Sequence, residues 1–359
     1  MEIGIIGLPV SGKSTIFSTL TQHQVEQFSG KIEAHRGVVK VPDNRLDQLT
    51  EIFNPKKQVN ATIEYVEVPG LEKDAAKSGF NSTFLTNLKN TDAIMMVVRA
   101  FEDEMFPHPE GEVDAARDLE IVDSEMLFSD LTVIENRLER LKKQLMKQKN
   151  KENEEELKLI ERCKQILEDE KPLRSAEFSE TELKKLRGYQ FLTLKPIIYV
   201  ININEDDISK EETILEQFSF LKERAKTSIV VLSAKIEQEL STLEEEEKTM
   251  FMEDLGIKEP ALPKLIRASY ELLDLISFFT VGDDECRAWT IRKGTNAQKA
   301  AGTIHSDLER GFIRAEVIHY DEFMKYKSLP KCKEAGVLRL EGKEYIVKDG
   351  DIISVRFNV

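Results

Sequence analysis

Residues 7–15, Gly7-Leu8-Pro9-Val10-Ser11-Gly12-Lys13-Ser14-Thr15, combine two glycines, a lysine and a hydroxyl at a spacing suited to gripping polyphosphate. The glycines let successive backbone N–H groups turn inward onto phosphate oxygens. A helix opening at Lys13 adds the positive end of its dipole. Lys13 can reach the β- and γ-phosphates, and the Ser14 hydroxyl can ligate Mg²⁺. A glycine-containing turn without a ligand is the plainer alternative, yet the template G-x-x-x-x-G-K-[ST] is satisfied at every fixed position. The chain is therefore expected to bind a nucleoside triphosphate with Mg²⁺.

Three further stretches bear on that chemistry. Glu67-Val68-Pro69-Gly70 stands where a GTPase-like protein carries Asp-x-x-Gly. Glu67, one methylene longer than Asp, is expected to accept from metal-bound water, or else to be a surface carboxylate before a turn. Gly70 is expected to offer its N–H to the γ-phosphate and is counted with the catalytic residues. Leu71 follows, where Ras-like enzymes place the glutamine that orients water. Between Gln22 and Asp43 the only side-chain hydroxyl is that of Ser29, so the usual switch threonine has no counterpart. Asn202-Ile203-Asn204-Glu205 and Ser233-Ala234-Lys235 occupy the base-reading positions. A guanine reader is Asn-Lys-x-Asp, whose carboxylate accepts from N1–H and the 2-amino group. Here Ile203 and Glu205 replace the lysine and aspartate. Asn202 is expected to bond the base edge, with Ser233 and Ala234 in support, and ATP or mixed ATP/GTP use becomes the expectation.

These residues need elements to position them. The apolar run Ile3–Ile6 reads as a strand entering a helix from Lys13 to about Thr21, and a second helical pattern covers Arg45–Phe53. Thr62–Val68, Ala93–Val98, Ile197–Ile201 and Ser228–Leu232 read as strands; the unbroken apolar runs among them are those of a buried parallel sheet. Leu127, Leu131, Ile134, Leu138, Leu141 and Leu145 recur at steps of four and three, a heptad seam. A polar break over residues 147–155 and a second helix with Leu157, Ile160 and Leu167 predict an antiparallel coiled-coil hairpin; a zipper between chains is the competing account. Glu244–Glu247 opens a further helical stretch whose apolar spacing runs through Leu265, Leu272 and Ile276. After residue 281 the pattern turns to short strands at Ala288–Ile291, Phe312–Ile318, Tyr345–Val347 and Ile352–Phe357. The expected fold is thus α/β: a P-loop sheet with helices on both faces, an inserted hairpin and a small β-rich α+β domain. The expected divisions are residues 1–118, 119–185, 186–280 and 281–359.

Bulk composition narrows the classes. At 359 residues two or three domains are expected. No apolar run approaches the roughly 18 residues of a membrane span, and Glu2 opens a strand rather than a basic leader, so a cytoplasmic protein without membrane contact is expected. Cys163, Cys286 and Cys332 are too scattered for a disulfide framework or a zinc site. A net charge of −15 argues against a protein-wide nucleic-acid surface and against sequence-specific DNA binding. The region 281–359 carries 14 Lys and Arg against 13 Asp and Glu, so RNA contact through Arg287, Arg292, Lys293, Lys299, Arg310 and Arg314 is allowed there, although solvation suffices for any one of them. The oligomeric state is left open.

Several segments together make the chain resemble the YchF/Obg-like ATPase family over essentially its whole length. They are the phosphate loop, Val41-Pro42-Asp43-Asn44-Arg45-Leu46, Val98-Arg99-Ala100-Phe101-Glu102-Asp103 and Asn202-x-x-Glu205. The most distinctive is Arg287-Ala288-Trp289-Thr290-Ile291-Arg292-Lys293-Gly294-Thr295, continuing through Ala300-Ala301-Gly302-x-Ile304-His305-x-Asp307. The resemblance implies a G-type domain, a coiled-coil insertion and a C-terminal TGS domain. It also implies Mg²⁺-dependent ATP hydrolysis in preference to GTP, and association with the ribosome or its RNA. His108 stands where the family has a mobile histidine thought to act in hydrolysis; a lone loop histidine is otherwise structural. The family's loop usually reads Gly-Leu-Pro-Asn-Val-Gly-Lys-Ser, whereas Val10-Ser11 stand here in place of Asn-Val. With the switch block shortened and Glu67 for Asp, two alternatives stay open: an ATP-sensing adaptor with negligible hydrolysis, and a GTP-dependent translation factor.

Overall fold

The computed structural model describes residues 1–22, 34–69, 80–148 and 150–358. By packing the chain forms two compact units, Met1–Gly37 with Glu64–Lys264, and Val38–Ile63 with Leu265–Val359.

The first unit is built on a six-stranded sheet of order β2-β4-β1-β5-β6-β7. Its strands are β1 (Glu2–Ile6), β2 (His35–Lys40), β4 (Thr62–Glu67), β5 (Ala93–Ala100), β6 (Ile197–Ile203) and β7 (Thr227–Leu232). β1 pairs in parallel with β4 and β5, and β5–β6 and β6–β7 are also parallel. Parallel strands covered on both faces read as unbroken apolar runs, which is why β5 and β6 are legible in sequence. On one face Ile94, Met96, Val98, Tyr199 and Ile201 pack with Phe84 and Leu88 of a short helix (Ser82–Lys89). The register aligns the carboxyl ends of β1, β4, β5 and β6, where an open α/β sheet presents its ligand crevice.

Two long helices follow β5. We label the helices used below α1 (Lys13–Thr21), α2 (Asn44–Phe53), α3 (the Ser82–Lys89 helix), α4 (Ala115–Lys147) and α5 (Lys151–Glu168). The first turns of α4 bury Leu119, Val122 and Met126 in the sheet core. Further along, Ile134 and Leu138 meet Ile160, Cys163 and Leu167 of α5, so the two form the expected hairpin within one chain. The break between them is shorter than expected. Asn150 accepts from the Glu152 N–H at 2.9 Å and starts α5 at Lys151, with Glu152 and Glu154 in the first turn, where the helix dipole favours acids. The hairpin base is fixed from the side. Asp130 on α4, fully buried, accepts from Leu192 N (2.9 Å), Thr193 N (2.8 Å) and Thr193 Oγ1 (2.7 Å). Tyr199 on β6 donates its hydroxyl proton to Asp123, also on α4, at 2.8 Å.

The second unit carries another six-stranded sheet, of order β11-β10-β12-β8-β9-β3. Its strands are β3 (Lys57–Val59), β8 (Leu275–Thr280), β9 (Glu285–Arg292), β10 (Phe312–His319), β11 (Arg339–Glu341) and β12 (Asp351–Phe357). Residues 38–63, assigned from sequence to the first part of the nucleotide domain, belong here: β3 pairs in parallel with β9 through Lys57↔Glu285 and Val59↔Arg287. Within the same unit Arg45 grips Asp43 through Nε (2.9 Å) and Nη2 (2.8 Å) and reaches Asp349 through Nη1 (2.7 Å). Asp349 Oδ1 also accepts from Ser277 N at 2.9 Å. The Val41–Leu46 motif is therefore half of a clasp on the 349–350 turn.

Two expected elements differ. The helix Ala261–Leu272 stops before Ile276, which lies on β8, because Asp274 adopts left-handed φ 53° and turns the chain into the strand Leu275–Thr280. Tyr345–Val347 is not a strand; it makes a single bridge, Asn296↔Ile346, while the Tyr345 hydroxyl donates to Asp351 at 2.8 Å. All three cysteines are free and buried. Among the described residues no helix is long and apolar enough to cross a membrane.

Candidate functional site

The phosphate loop connects β1 to α1. Two glycines make its path possible. A Cβ at Gly7 would stand 2.5 Å from the Val97 carbonyl oxygen, so only glycine lets the loop leave β1 this close to β5. Gly12 has φ 92° and caps α1 with no side-chain hydrogen bond, which leaves the first N–H groups of that helix open to an anion. A Cβ at Gly12 would fall 2.2 Å from Asn202 Nδ2.

Lys13 and Ser14 open α1, and Glu67 closes β4, the neighbour of β1. Ser14 Oγ donates to Glu67 Oε1, and both Lys13 and Glu67 are buried. Burial pushes the Lys13 ammonium below its ordinary range, with Glu67 opposing that shift. A buried cation beside one carboxylate and an open helix N-terminus is a site prepared for further negative charge. Ser14 and Glu67 are both hard oxygen donors, the kind Mg²⁺ takes together with substrate phosphates.

The loop's departure from the usual wording of the family it resembles has physical consequences. Val10 sits at φ 55°, a left-handed conformation that β-branched residues resist and asparagine tolerates. The Ser11 hydroxyl is buried and has no hydrogen-bond partner among the described residues. Val10→Asn and Ser11→Ala are each expected to raise stability by about 1 kcal/mol, the first by relieving backbone strain and the second by removing an unmet donor. Chemical denaturation of both variants checks this; a loss of stability in either would contradict the reading of that residue.

Asn202 ties two parts of the site together. It is 3% exposed, and its amide is spent on both sides: Nδ2 donates to Ser11 O (3.0 Å) and Oδ1 accepts from Ala234 N (2.9 Å). It acts as a strut, tying the phosphate loop to the Ser233–Ala234 turn. Asn202, Ile203, Ser233 and Ala234 line a cleft of about 390 Å³ together with Thr15. Glu205 stands at the start of a short 3₁₀ turn, its N–H held by Asn204 Oδ1 (2.8 Å) and its carboxylate paired with Lys235.

The cleft also recruits residues that sequence reasoning did not assign to it. Phe101, Glu102 and Asp103 form one wall, and Gln238 joins the expected Lys235 in the lining. Arg99, buried at the end of β5, holds the first wall: Nε donates to Phe101 O (2.9 Å), Nη1 to Phe106 O (2.8 Å), and the guanidinium lies 4.6 Å over the Phe101 ring. An arginine closing an otherwise apolar strand was the available signal.

His108 is not among the cleft's lining residues. Its ring is buried, Nε2 lies 2.7 Å from Asp118 Oδ2, and Nδ1 accepts from Glu110 N at 3.2 Å. Asp118 is in the first turn of α4 and is also gripped by Arg117 (2.8 Å). Gly70, Leu71 and Ser29 lie outside the described residues. The structure thus gathers Gly7–Thr15 with Glu67, and joins Ser11 to Asn202 and Ala234, while His108 stands apart.

Comparison with known proteins follows the same lines. Residues 2–203 match the family described as 50S ribosome-binding GTPase, and residues 275–358 match YchF-GTPase_C, described as a protein of unknown function. The chain is 44% identical over 366 residues to the ribosome-binding ATPase YchF of Bacillus subtilis, covering 100% of each. It is 45% identical over 362 residues to that of Haemophilus ducreyi, covering 100% of this chain and 99% of the other. Among solved structures it is similar to the Schizosaccharomyces pombe YchF GTPase, with a TM-score of 0.86, 34% identity, and 99% and 97% of the two chains covered.

Proposed function

Because the chain belongs to the YchF family, we propose that it is a Mg²⁺-dependent ATPase, taking ATP before GTP, that works at the ribosome in translation or its regulation under stress. The observation that carries this is buried Lys13 and buried Glu67 meeting the exposed Ser14 hydroxyl at the uncapped start of α1. The amides from Gly12 onward hold the β-phosphate, and Lys13 bridges to the γ-phosphate. Ser14 and Glu67 would hold Mg²⁺; when bound, the ion neutralises charge on the phosphate oxygens. Gly70 offers its N–H to the γ-phosphate. His108 positions the attacking water, for which its Nε2 must first exchange Asp118 for that water. The reading of ATP before GTP rests on an apolar Ile203 in the cleft and on Glu205, engaged by the cleft residue Lys235, where a guanine reader needs lysine and a free carboxylate. The relatives named ribosome-binding ATPases support ribosome association, which we assign to the hairpin (119–185) and the TGS-like region (281–359), in the cytoplasm.

An ATP-sensing adaptor with negligible turnover is the second reading. It is favoured by the engagement of both His108 ring nitrogens and by Leu71 at the water-orienting position. Single-turnover phosphate release, with and without ribosomes, separates the two. Release above background with ATP supports the enzyme; measurable ATP affinity without release, even on ribosomes, supports the adaptor. His108→Ala is expected to slow hydrolysis while changing ATP affinity less than about threefold, roughly 0.65 kcal/mol. A parallel loss of affinity would place His108 in the architecture instead.

A further inference from the structure

Glu205 occupies the position whose carboxylate reads guanine in guanine-specific P-loop proteins, yet here it is not free. Lys235 Nζ lies 2.9 Å from Glu205 Oε1 and 2.8 Å from Oε2, so one ammonium bridges both oxygens. The pair is held from both ends. Glu205 begins its 3₁₀ turn with the N–H fixed by Asn204, and Lys235 sits in the first turn of the helix Ala234–Leu240, whose Ala234 N–H is tied to Asn202. Lys235 lines the same cleft as Ile203, Asn204 and Ala234.

We propose that Lys235 is a specificity-determining residue of the nucleotide cleft, which disfavours guanine by occupying the carboxylate of Glu205. This rests on the reading that the cleft takes a purine nucleotide.

The chemistry is a competition for two oxygens. Guanine presents N1–H and a 2-amino group, two donors that suit a free carboxylate, and it must displace the ammonium to use them. Adenine presents a bare N1 acceptor at that edge. A lone carboxylate repels that acceptor, whereas a carboxylate neutralised by lysine does not. An ammonium has three donors, and binding Glu205 leaves one uncommitted to a described partner. Magnitude sets the size of the effect. The lysine is 63% and the glutamate 36% exposed in their side chains, so their attraction is screened by water and salt. Lys235 therefore biases the choice several-fold rather than absolutely; Ile203 and the longer Glu205 supply the remainder.

The test measures affinities of the full chain for AMPPNP and GMPPNP with Mg²⁺, in wild type, Lys235→Ala, Glu205→Gln and the double variant. Both side chains are solvent-exposed enough for the fold to survive, and a melting curve of each variant verifies that. The expected result is a rise of about three- to fivefold in the GMPPNP:AMPPNP affinity ratio for Lys235→Ala. That rise should vanish when Glu205→Gln is added. In wild type, raising the salt from about 0.05 to 0.5 M should shift the ratio the same way, and in Lys235→Ala it should not. A ratio unchanged within twofold in Lys235→Ala overturns the proposal, as does an equal rise in the Glu205→Gln background. If no variant and no wild type binds either analogue, the nucleotide reading itself fails, a different outcome from an unchanged ratio.

Discussion

Lys13→Met is expected to weaken binding of MgATP at least about 100-fold, and to bring phosphate release to background. The lysine is the one side-chain cation in the phosphate loop, and charge-assisted hydrogen bonds to phosphate are worth about 1.5–3 kcal/mol each, so losing two removes about two powers of ten or more. The free protein should respond differently. Burial lowers the Lys13 ammonium below its ordinary range, meaning that the empty fold tolerates its charge poorly. Lys13→Met should thus be no less stable than wild type without nucleotide. The pH dependence follows from the same shift. The native state sheds the Lys13 proton before the unfolded chain does, so the unfolded chain binds more protons below the ordinary lysine range. The contribution of Lys13 to wild-type stability therefore rises with pH on the approach to that range, and the variant lacks this rise. Calorimetric titration and urea denaturation at two alkaline pH values check both halves. A variant that loses affinity and collapses together would mean that Lys13 supports the fold rather than the ligand.

Asp130→Ala is expected to give the largest loss of stability, about 3–5 kcal/mol, because it strands three buried donors at once. These are the two backbone N–H groups of Leu192 and Thr193 and the Thr193 hydroxyl. Burial pushes the Asp130 carboxyl up to about 6, above its ordinary 3.8, against the pull of those donors. Between about pH 4 and 6 the native state then holds a proton that the unfolded state has released, and ionising the buried group at higher pH is a cost to wild type alone. The gap between wild type and variant should consequently widen as pH falls from 7 to 5. Denaturant midpoints at those two values test the sign. Equal stabilities of wild type and Asp130→Ala at pH 7 would show that the hairpin base is not anchored there.

What could be read in the sequence was what is local. The phosphate loop is nine consecutive residues whose geometry is set by its own glycines, and the hairpin declares itself through a repeat along one helix and a partner directly downstream. Pairings across long separations were not legible. Nothing near Lys57 announces that β3 joins β9, or that Arg45 clasps Asp349, although the Val41–Leu46 motif was conspicuous as a string. Ile276 continues the helical spacing of Leu272, and short apolar runs do not separate strand from helix; a left-handed Asp274 decides it. At the site, residue type did not say what each side chain would spend its hydrogen bonds on. Asn202 became a strut because the loop carbonyl of Ser11 and the Ala234 amide were both within reach. His108 became the buried partner of Asp118 because the first turn of α4 arrives beneath its loop.

All of these readings depend on the loop after β1 receiving a triphosphate. Isothermal titration of the purified chain with AMPPNP at millimolar Mg²⁺, alongside Lys13→Met, measures that with no turnover to interpret. Saturable binding of one nucleotide per wild-type chain, lost in the variant, is the predicted result. A folded wild-type chain that takes up neither AMPPNP nor GMPPNP would contradict the account.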